Sequence, residues 1–343
     1  MPVLAIHLTI LAERCIYPLY WHQSIFRKAG DPLADTALPH SHLISVHRVV
    51  SYIEQHLDEP LTLDRLAAVG SFSPYHFHRL FRQVMNENLA VFIRRLRVEK
   101  ASKLLVFHPD RTVNDIAMEC GLQSPAHFAR AFRGQTGLSA SEFRRRFNAG
   151  ALAGMFEQNH QDDGGPQSER FELLREKYIQ MQVRLERLPE ETVYYRRYVG
   201  TLDLKTLYNA EIENHYRFVE GWLEARGMAD EDRKFYGLVL DDPHVTPPGR
   251  HRYDACITAT RAVAAESGVD RRTLPGGLYA TVHLVDRPDF VSDLIYLMHV
   301  QWLPSSPYTW DHERPSFEWF HEWTSNSADG KVNVTFCLPV KAR

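Results

Sequence analysis

The segment SPYHFHRLF, residues 73–81, returns 51 residues later as SPAHFARAF, residues 124–132. Each copy opens on a serine that can accept backbone N–H bonds at a helix start, followed by a proline at the first helical position, where a missing N–H costs nothing. On such a helix Phe77, Leu80 and Phe81 form one apolar face, and Phe128, Ala131 and Phe132 repeat it. The opposite face carries Tyr75, His78, Arg79 and Arg82 in the first copy and Ala126, Ala129, Arg130 and Arg133 in the second, flanked by His76 and His127. A guanidinium near a helix tip can grip guanine O6 and N7 together, so these faces suit the reading of a duplex rather than the turnover of a substrate. One copy alone is equally well explained as a solvated helical corner; two copies with matching caps and arginines are not.

A second place with chemistry is Glu318, between Phe317 and Trp319 in a stretch that also holds Trp302, Tyr308, Trp310, Phe320 and Trp323. A glutamate ordinarily points to water. At the floor of an aromatic-walled pocket it would instead suit a hydrophobic cation, through charge pairing and cation–π contact, with Trp302, Tyr308 and Trp222 as the expected wall. Metal chemistry is not expected. Among 18 histidines the pairs in HSH (40–42) and HFH (76–78) are two apart, and on a helix such side chains diverge by about 200°. No glycine-rich phosphate loop and no GxSxG elbow occurs.

The repeated segments need helices to present them. TLDRLAAVGSFSPYHFHRLF and TVNDIAMECGLQSPAHFARAF each read as a short helix starting at a threonine cap (Thr62, Thr112), a turn with a glycine (Gly70, Gly121), and a second helix. That is the helix-turn-helix pattern, whose second helix enters the major groove. Ahead of them Leu43, Val46, Val50, Ile53 and Leu57 recur at helical spacing. Between them, NLAVFIRRLRVEKASKLLVF (88–107) has no Gly or Pro. As a helix it spans roughly 30 Å, close to the ~34 Å between successive major grooves on one side of B-DNA. A stiff spacer of this length would set two recognition helices one duplex turn apart in a single chain.

The net charge of the 343-residue chain is −3, but residues 43–149 hold 15 basic and 10 acidic side chains against 19 and 24 in residues 181–343. The first segment suits a polyanion and the second does not. Four scattered cysteines fit no disulfide framework and point to a reducing cytoplasm. No apolar run approaches the ~20 residues of a membrane span. Residues 1–40 read as a poorly ordered leader, 43–149 as an all-α domain, 150–180 as a linker rich in Gly, Gln, Asn and Asp, and 181–343 as a separate α+β domain. In the last, strand-like MQVRLERL and TVYYRRYV precede a helix over about 204–225 and the strands FYGLVL and YDACITA. After GVDRRTLPGG come LYATVHLV, a helix near 289–302, a Pro-rich aromatic loop and a last strand VNVTFCLPV.

Residues 43–147, with IAMECGLQSPAHFARAFRGQTGLSASEFRRRF, resemble the DNA-binding domain of the AraC/XylS family of bacterial transcription regulators. The resemblance implies tandem helix-turn-helix units in which Tyr75, His78, Arg79, Ala126, His127 and Arg130 face bases. Thr62, Ser73, Arg82, Thr112, Ser124 and Arg133 would lie near phosphates. Three departures stand out: Leu122 where the family usually has Phe, Ala140 where it usually has Pro, and MNENL in place of a glycine turn. The alanines of the second recognition helix leave little beyond a thymine methyl to read, so the first unit and Arg130 are expected to dominate specificity.

The ordered segments LDDPHVTPPGRHRYDACI, LPGGLYA, QWLPSSPY, PSFEWF and CLPVK resemble the GyrI-like effector-binding domain, two strand-helix-strand-strand halves forming a cup for small molecules. In similar proteins the glutamate matching Glu318 sits in that cup. The two resemblances imply a cytoplasmic transcription regulator with double-stranded DNA, a small-molecule effector and RNA polymerase as partners, and without cofactor, metal or catalysis. Some standalone GyrI-like domains are similar to hydrolases that use the pocket glutamate, which keeps an enzyme as the second class.

Overall fold

The computed structural model describes residues 38–147 and 166–343, apart from 123, 203–209, 229–231, 243–244, 267 and 323–329. The leader at 1–37 and the first part of the linker therefore lie outside the described residues.

The helical domain is built from α1 (His40–Gln55), α2 (Leu63–Gly70), α3 (Pro74–Met85), α4 (Leu89–Phe107), α5 (Val113–Glu119), α6 (Pro125–Thr136) and α7 (Ala140–Phe147). Thr62 caps α2 by accepting from Arg65 N, and Thr112 caps α5 by accepting from Asp115 N. The turn residues differ between the units for a physical reason. Gly121 takes the left-handed conformation (φ +70), and a Cβ there would stand 2.2 Å from the Leu57 carbonyl oxygen. In the first unit Ser71 takes that role (φ 61), while Gly70 is needed for close packing against Val49 and Phe72. The MNENL departure resolves in the same way: Asn86 adopts φ 54 where the second unit uses Gly137, an asparagine being tolerated there by its short polar side chain. Leu122 is simply buried, and Ser139 with Glu142 closes a capping box ahead of Ala140.

The spacer α4 is one helix of 19 residues, about 28 Å long. Its first half gives Leu89, Phe92, Ile93 and Leu96 to the core of unit one, and its second half gives Val98, Ala101, Leu104 and Leu105 to the core of unit two. Arg97 ties the two by donating to the carbonyls of Leu57 (2.8 Å) and Glu59 (2.7 Å).

Residues 166–180, expected to be linker, form a helix α8 (Pro166–Gln180) whose Leu174 is buried in the second domain's core. That domain is a curled antiparallel sheet of β1 (Val183–Leu188), β2 (Glu191–Gly200), β3 (Phe235–Val239), β4 (His251–Thr258), β5 (Asp270–Leu274), β6 (Gly277–Asp286), β7 (Tyr308–Trp310), β8 (Phe317–Glu322) and β9 (Val332–Ala342), with α9 (Ala210–Glu224) and α10 (Pro288–Leu297). The order β1-β6-β9-β8-β3-β4-β2-β5 places two halves, β2-α9-β3-β4 and β6-α10-β8-β9, back to back at the β3–β8 junction. Each edge strand pairs across: β1 precedes β2 but pairs β6, and β5 precedes β6 but pairs β2. Sequences expected to be loop supply β5, β7 and β8, because alternate residues there face opposite sides of the sheet; Phe317 lies in one core and Phe320 in the other.

The two domains share a buried ionic seam. Arg95 donates to Glu87 (2.7 Å), Glu99 (2.9 Å) and Asp241 (3.1 Å), and Arg252 bridges Asp241 (2.6 Å) to Glu54 (2.6 Å). Arg252 and Arg95 hold the Asp241 carboxyl well below the usual carboxylate range, whereas burial, reinforced by the negative charge of Asp241 against the pull of Arg95, Thr246 and Lys103, pushes Glu99 up from 4.5 to about 7. A carboxyl with a raised folded pKa binds protons in the native state that the unfolded chain has already lost, so Glu99 subtracts stability as pH climbs from about 5 to about 8. Calorimetry should record a melting temperature that falls more, or rises less, across this window in the wild type than in Glu99→Gln. The difference between the two isolates Glu99 from His251, whose burial depresses its own pKa and acts oppositely.

Candidate nucleic-acid interface and ligand groove

Phe77, Leu80 and Phe81 of α3 and Phe128 and Phe132 of α6 are buried, which turns the other face of each recognition helix outward. Tyr75 is 81% exposed, and His78, Arg79, Arg82, Ala126, His127, Arg130 and Arg133 are all exposed. Arg79, Arg82 and Arg130 form no ion pair with a described residue, while Arg133 lies 3.7 Å from Glu142 in a solvent-screened pair. Of the expected phosphate contacts, Ser124 caps α6 by accepting from His127 N (3.4 Å); the Ser73 hydroxyl makes no capping bond to α3 and is exposed. Thr112 differs: its hydroxyl donates to the Asp115 carboxylate at 2.6 Å, so a negative charge stands beside it.

In the second domain α9 packs on β2 and β4 and α10 on β6 and β9, so the β3–β8 junction lies between them. Glu318 sits on this junction, directly across from Gly237, and is only 4% exposed. Gly237, paired to Ala255, holds in the first half the position that Glu318, paired to Phe336, holds in the second. A side chain at Gly237 is excluded because its Cβ would stand 2.0 Å from the Tyr253 hydroxyl. Tyr253 and Tyr216 share a hydrogen bond (3.0 Å), Tyr216 also donates to the Tyr236 carbonyl, and its ring lies edge-on to Phe320. Burial, then Tyr216, then the charge of Glu318 push the Tyr253 hydroxyl well up, so it stays protonated.

Gly237, Tyr253, Phe320 and Phe336 thus surround Glu318 on the helix-covered face of the sheet, with Tyr216 of α9 beside them, all buried. Of the expected wall, Trp222 and Tyr308 stand away from Glu318, while Trp302 belongs to a turn that packs beside it. Trp222 tilts against Tyr194 of β2 with the Arg226 guanidinium 3.9 Å over its ring. Tyr308 pairs with Ala342, six residues along β9 from the Phe336 that faces Glu318, about 20 Å away. Trp302 is half-buried at the end of a π-helical turn, Met298–Trp302, whose His299 packs on Phe336. The tyrosines were missed because YRF and YDA look like ordinary helix and strand residues; their one signal is a buried phenol on each of two elements that converge. Among the described residues no three His, Cys, Asp or Glu side chains gather as a metal site, and no helix is long and apolar enough to cross a membrane.

Comparison with known proteins matches residues 66–146 to a helix-turn-helix domain family and residues 181–341 to a GyrI-like small molecule binding domain family. Over 106 residues, 31% of this chain, it is 33% identical to 98% of the regulatory protein SoxS of Escherichia coli. It is 33% identical over 100 residues to the bifunctional transcriptional activator/DNA repair enzyme AdaA of Bacillus subtilis and 32% identical over 100 residues to the right origin-binding protein of E. coli. Those two stretches, each 29% of this chain, span only 47% and 34% of the respective relatives.

Proposed function

The chain belongs to the AraC-type helix-turn-helix family of transcription regulators and carries a GyrI-like small-molecule binding domain, and from that premise we propose that it is a bacterial cytoplasmic regulator whose promoter affinity is set by a lipophilic cation seated at Glu318. Two exposed basic helix faces on a common 19-residue spacer support the DNA half of this reading. Arg79 and Arg130 are its base readers, Tyr75, His78, Ala126 and His127 complete the faces, and Thr62, Ser73, Arg82, Ser124 and Arg133 give phosphate register. RNA polymerase is the partner through which a bound regulator would act.

The observation that carries the effector half is a buried carboxylate at the junction of two symmetric halves, among the rings of Tyr216, Tyr253, Phe320 and Phe336. A cation entering between α9 and α10 gains charge pairing and ring faces together. No catalytic role is assigned to Glu318, because a DNA-reading domain in the same chain favours sensing over turnover. Glu318→Gln should weaken binding of tetraphenylphosphonium at least tenfold by isothermal titration while leaving DNA affinity within twofold. Equal affinity in the mutant removes the assignment, and turnover abolished by Glu318→Gln would make the domain an enzyme.

A further inference from the structure

The hairpin β3–β4 reaches from the groove into the DNA-binding domain. At one end Gly237 faces Glu318 and Tyr253 lies beside it. At the other end five side chains meet the spacer helix α4 or its neighbours. Asp241 accepts from Arg95, Thr246 donates to Glu99, Arg250 lies 3.4 Å from Glu87, and Arg252 reaches Glu54 of α1. Val245 is buried in the core of the second helix-turn-helix unit, beside residues of α4 and α6. On α4 the residues that meet this hairpin, Arg95 and Glu99, are both buried and lie one turn apart on one helix face. The hairpin is tied internally as well: Asp241 accepts from the backbone N (2.7 Å) and Nε (2.8 Å) of Arg252, and Leu240 N donates to the Arg252 carbonyl. Asp241 lies two residues beyond the end of β3 and four residues along the chain from Gly237.

We propose that this hairpin is the lever through which groove occupancy changes DNA binding, with Gly237 and Tyr253 as its input and Asp241, Val245 and Thr246 as its output on α4. The lever rests on the effector reading of the groove, and it assigns that reading its regulation. A ligand against Glu318 displaces Tyr253, which has no slack because the Tyr216 hydroxyl and the missing Cβ of Gly237 fix its position. The displacement tilts a hairpin clamped at its far end to the middle of the helix that spaces the two readers. A ligand shifts such an equilibrium only by its preference for one arrangement, so the output must be a change in α4, not merely in the groove. Asp241, Val245 and Thr246 act through α4 and touch neither DNA nor ligand; they are positioning residues.

The test uses the full chain and a DNA fragment selected from a random pool. DNA affinity is measured with and without tetraphenylphosphonium for wild type and Asp241→Asn, with Thr246→Val as the second variant should the first fail to fold. The expected result is a change of at least fivefold in the wild type that shrinks to under twofold in the variant, whose affinity for the probe alone stays within threefold. An undiminished change in the variant overturns the lever. Should the probe not bind the wild type, the effector reading fails by itself, and the lever is decided without ligand: amide exchange over residues 96–103 is followed in Gly237→Ala, Asp241→Asn and the double variant. Non-additive exchange supports the lever; additive exchange, the rule for sites so far apart, overturns it.

Discussion

Arg95→Ala is expected to destabilise the protein by about 3–5 kcal/mol, the range for removing one partner of a buried ion pair. Arg95 lies between three carboxylates, Glu87, Glu99 and Asp241, all buried, and donates to Glu87 through Nε and Nη2 and to both Glu99 and Asp241 through Nη1. Its removal leaves Glu87, among the described residues, with the 3.4 Å contact to Arg250 and Asp241 with Arg252. Glu99 would respond by taking up a proton more readily, which limits the loss but does not restore the bonds. The guanidinium also stands 5.2 Å from the centre of the Phe92 ring, so packing is lost with charge. Arg95→Lys keeps one charge but cannot serve three acceptors in a plane, and should fall between wild type and alanine. Urea unfolding of the full chain measures all three. A loss under 1 kcal/mol for Arg95→Ala would mean that the domains do not pack through this seam.

The second large effect is on DNA. Arg79→Ala and Arg130→Ala should each cost about 1–3 kcal/mol in affinity for a selected site and relax preference at one base position, while Arg82→Ala weakens all sequences nearly uniformly and lowers the salt slope by about 1. Neither Arg79 nor Arg130 gives up an ion pair with a described residue on binding, so the cost of the mutation is the cost of the contact. The second recognition helix carries Ala126 and Ala129 where the first carries Tyr75 and His78, and its loss of preference should be confined to the base facing Arg130. Uniform loss for Arg79→Ala would make it a phosphate contact. Fluorescence anisotropy against a set of single-base variants of the site separates the outcomes.

The sequence displays most of the helical domain because its information is local: serine and threonine caps, prolines at first positions and a 3.6-residue apolar period all lie within a turn or two of what they specify. The same holds for β2, β4, β6 and β9. The strand DRRTL was hidden by its charge. Arg272 is accommodated because it pairs with Asp254, two strands away in the sheet, at 2.7 Å. PSFEWF, expected within a Pro-rich aromatic loop, is the strand β8, whose aromatics split between two faces and leave Glu318 with Phe320 on the helix side. Glu318 itself was legible; its companions were not, since Tyr216, Tyr253 and Phe336 come from elements up to 120 residues apart in sequence. The burial of Arg95 and Glu99 carries no local signal for the same reason: Asp241, the partner of Arg95, lies 146 residues along the chain.

The central claim is that one rigid helix holds two readers a duplex turn apart. Hydroxyl-radical footprinting of the full chain on a selected DNA site tests it most directly. The account predicts two protected elements on one side of the duplex with centres about 10 base pairs apart, and loss of most of the affinity when about 5 base pairs are inserted between them. A single protected element, or two whose separation can be lengthened by half a turn without loss, would contradict it.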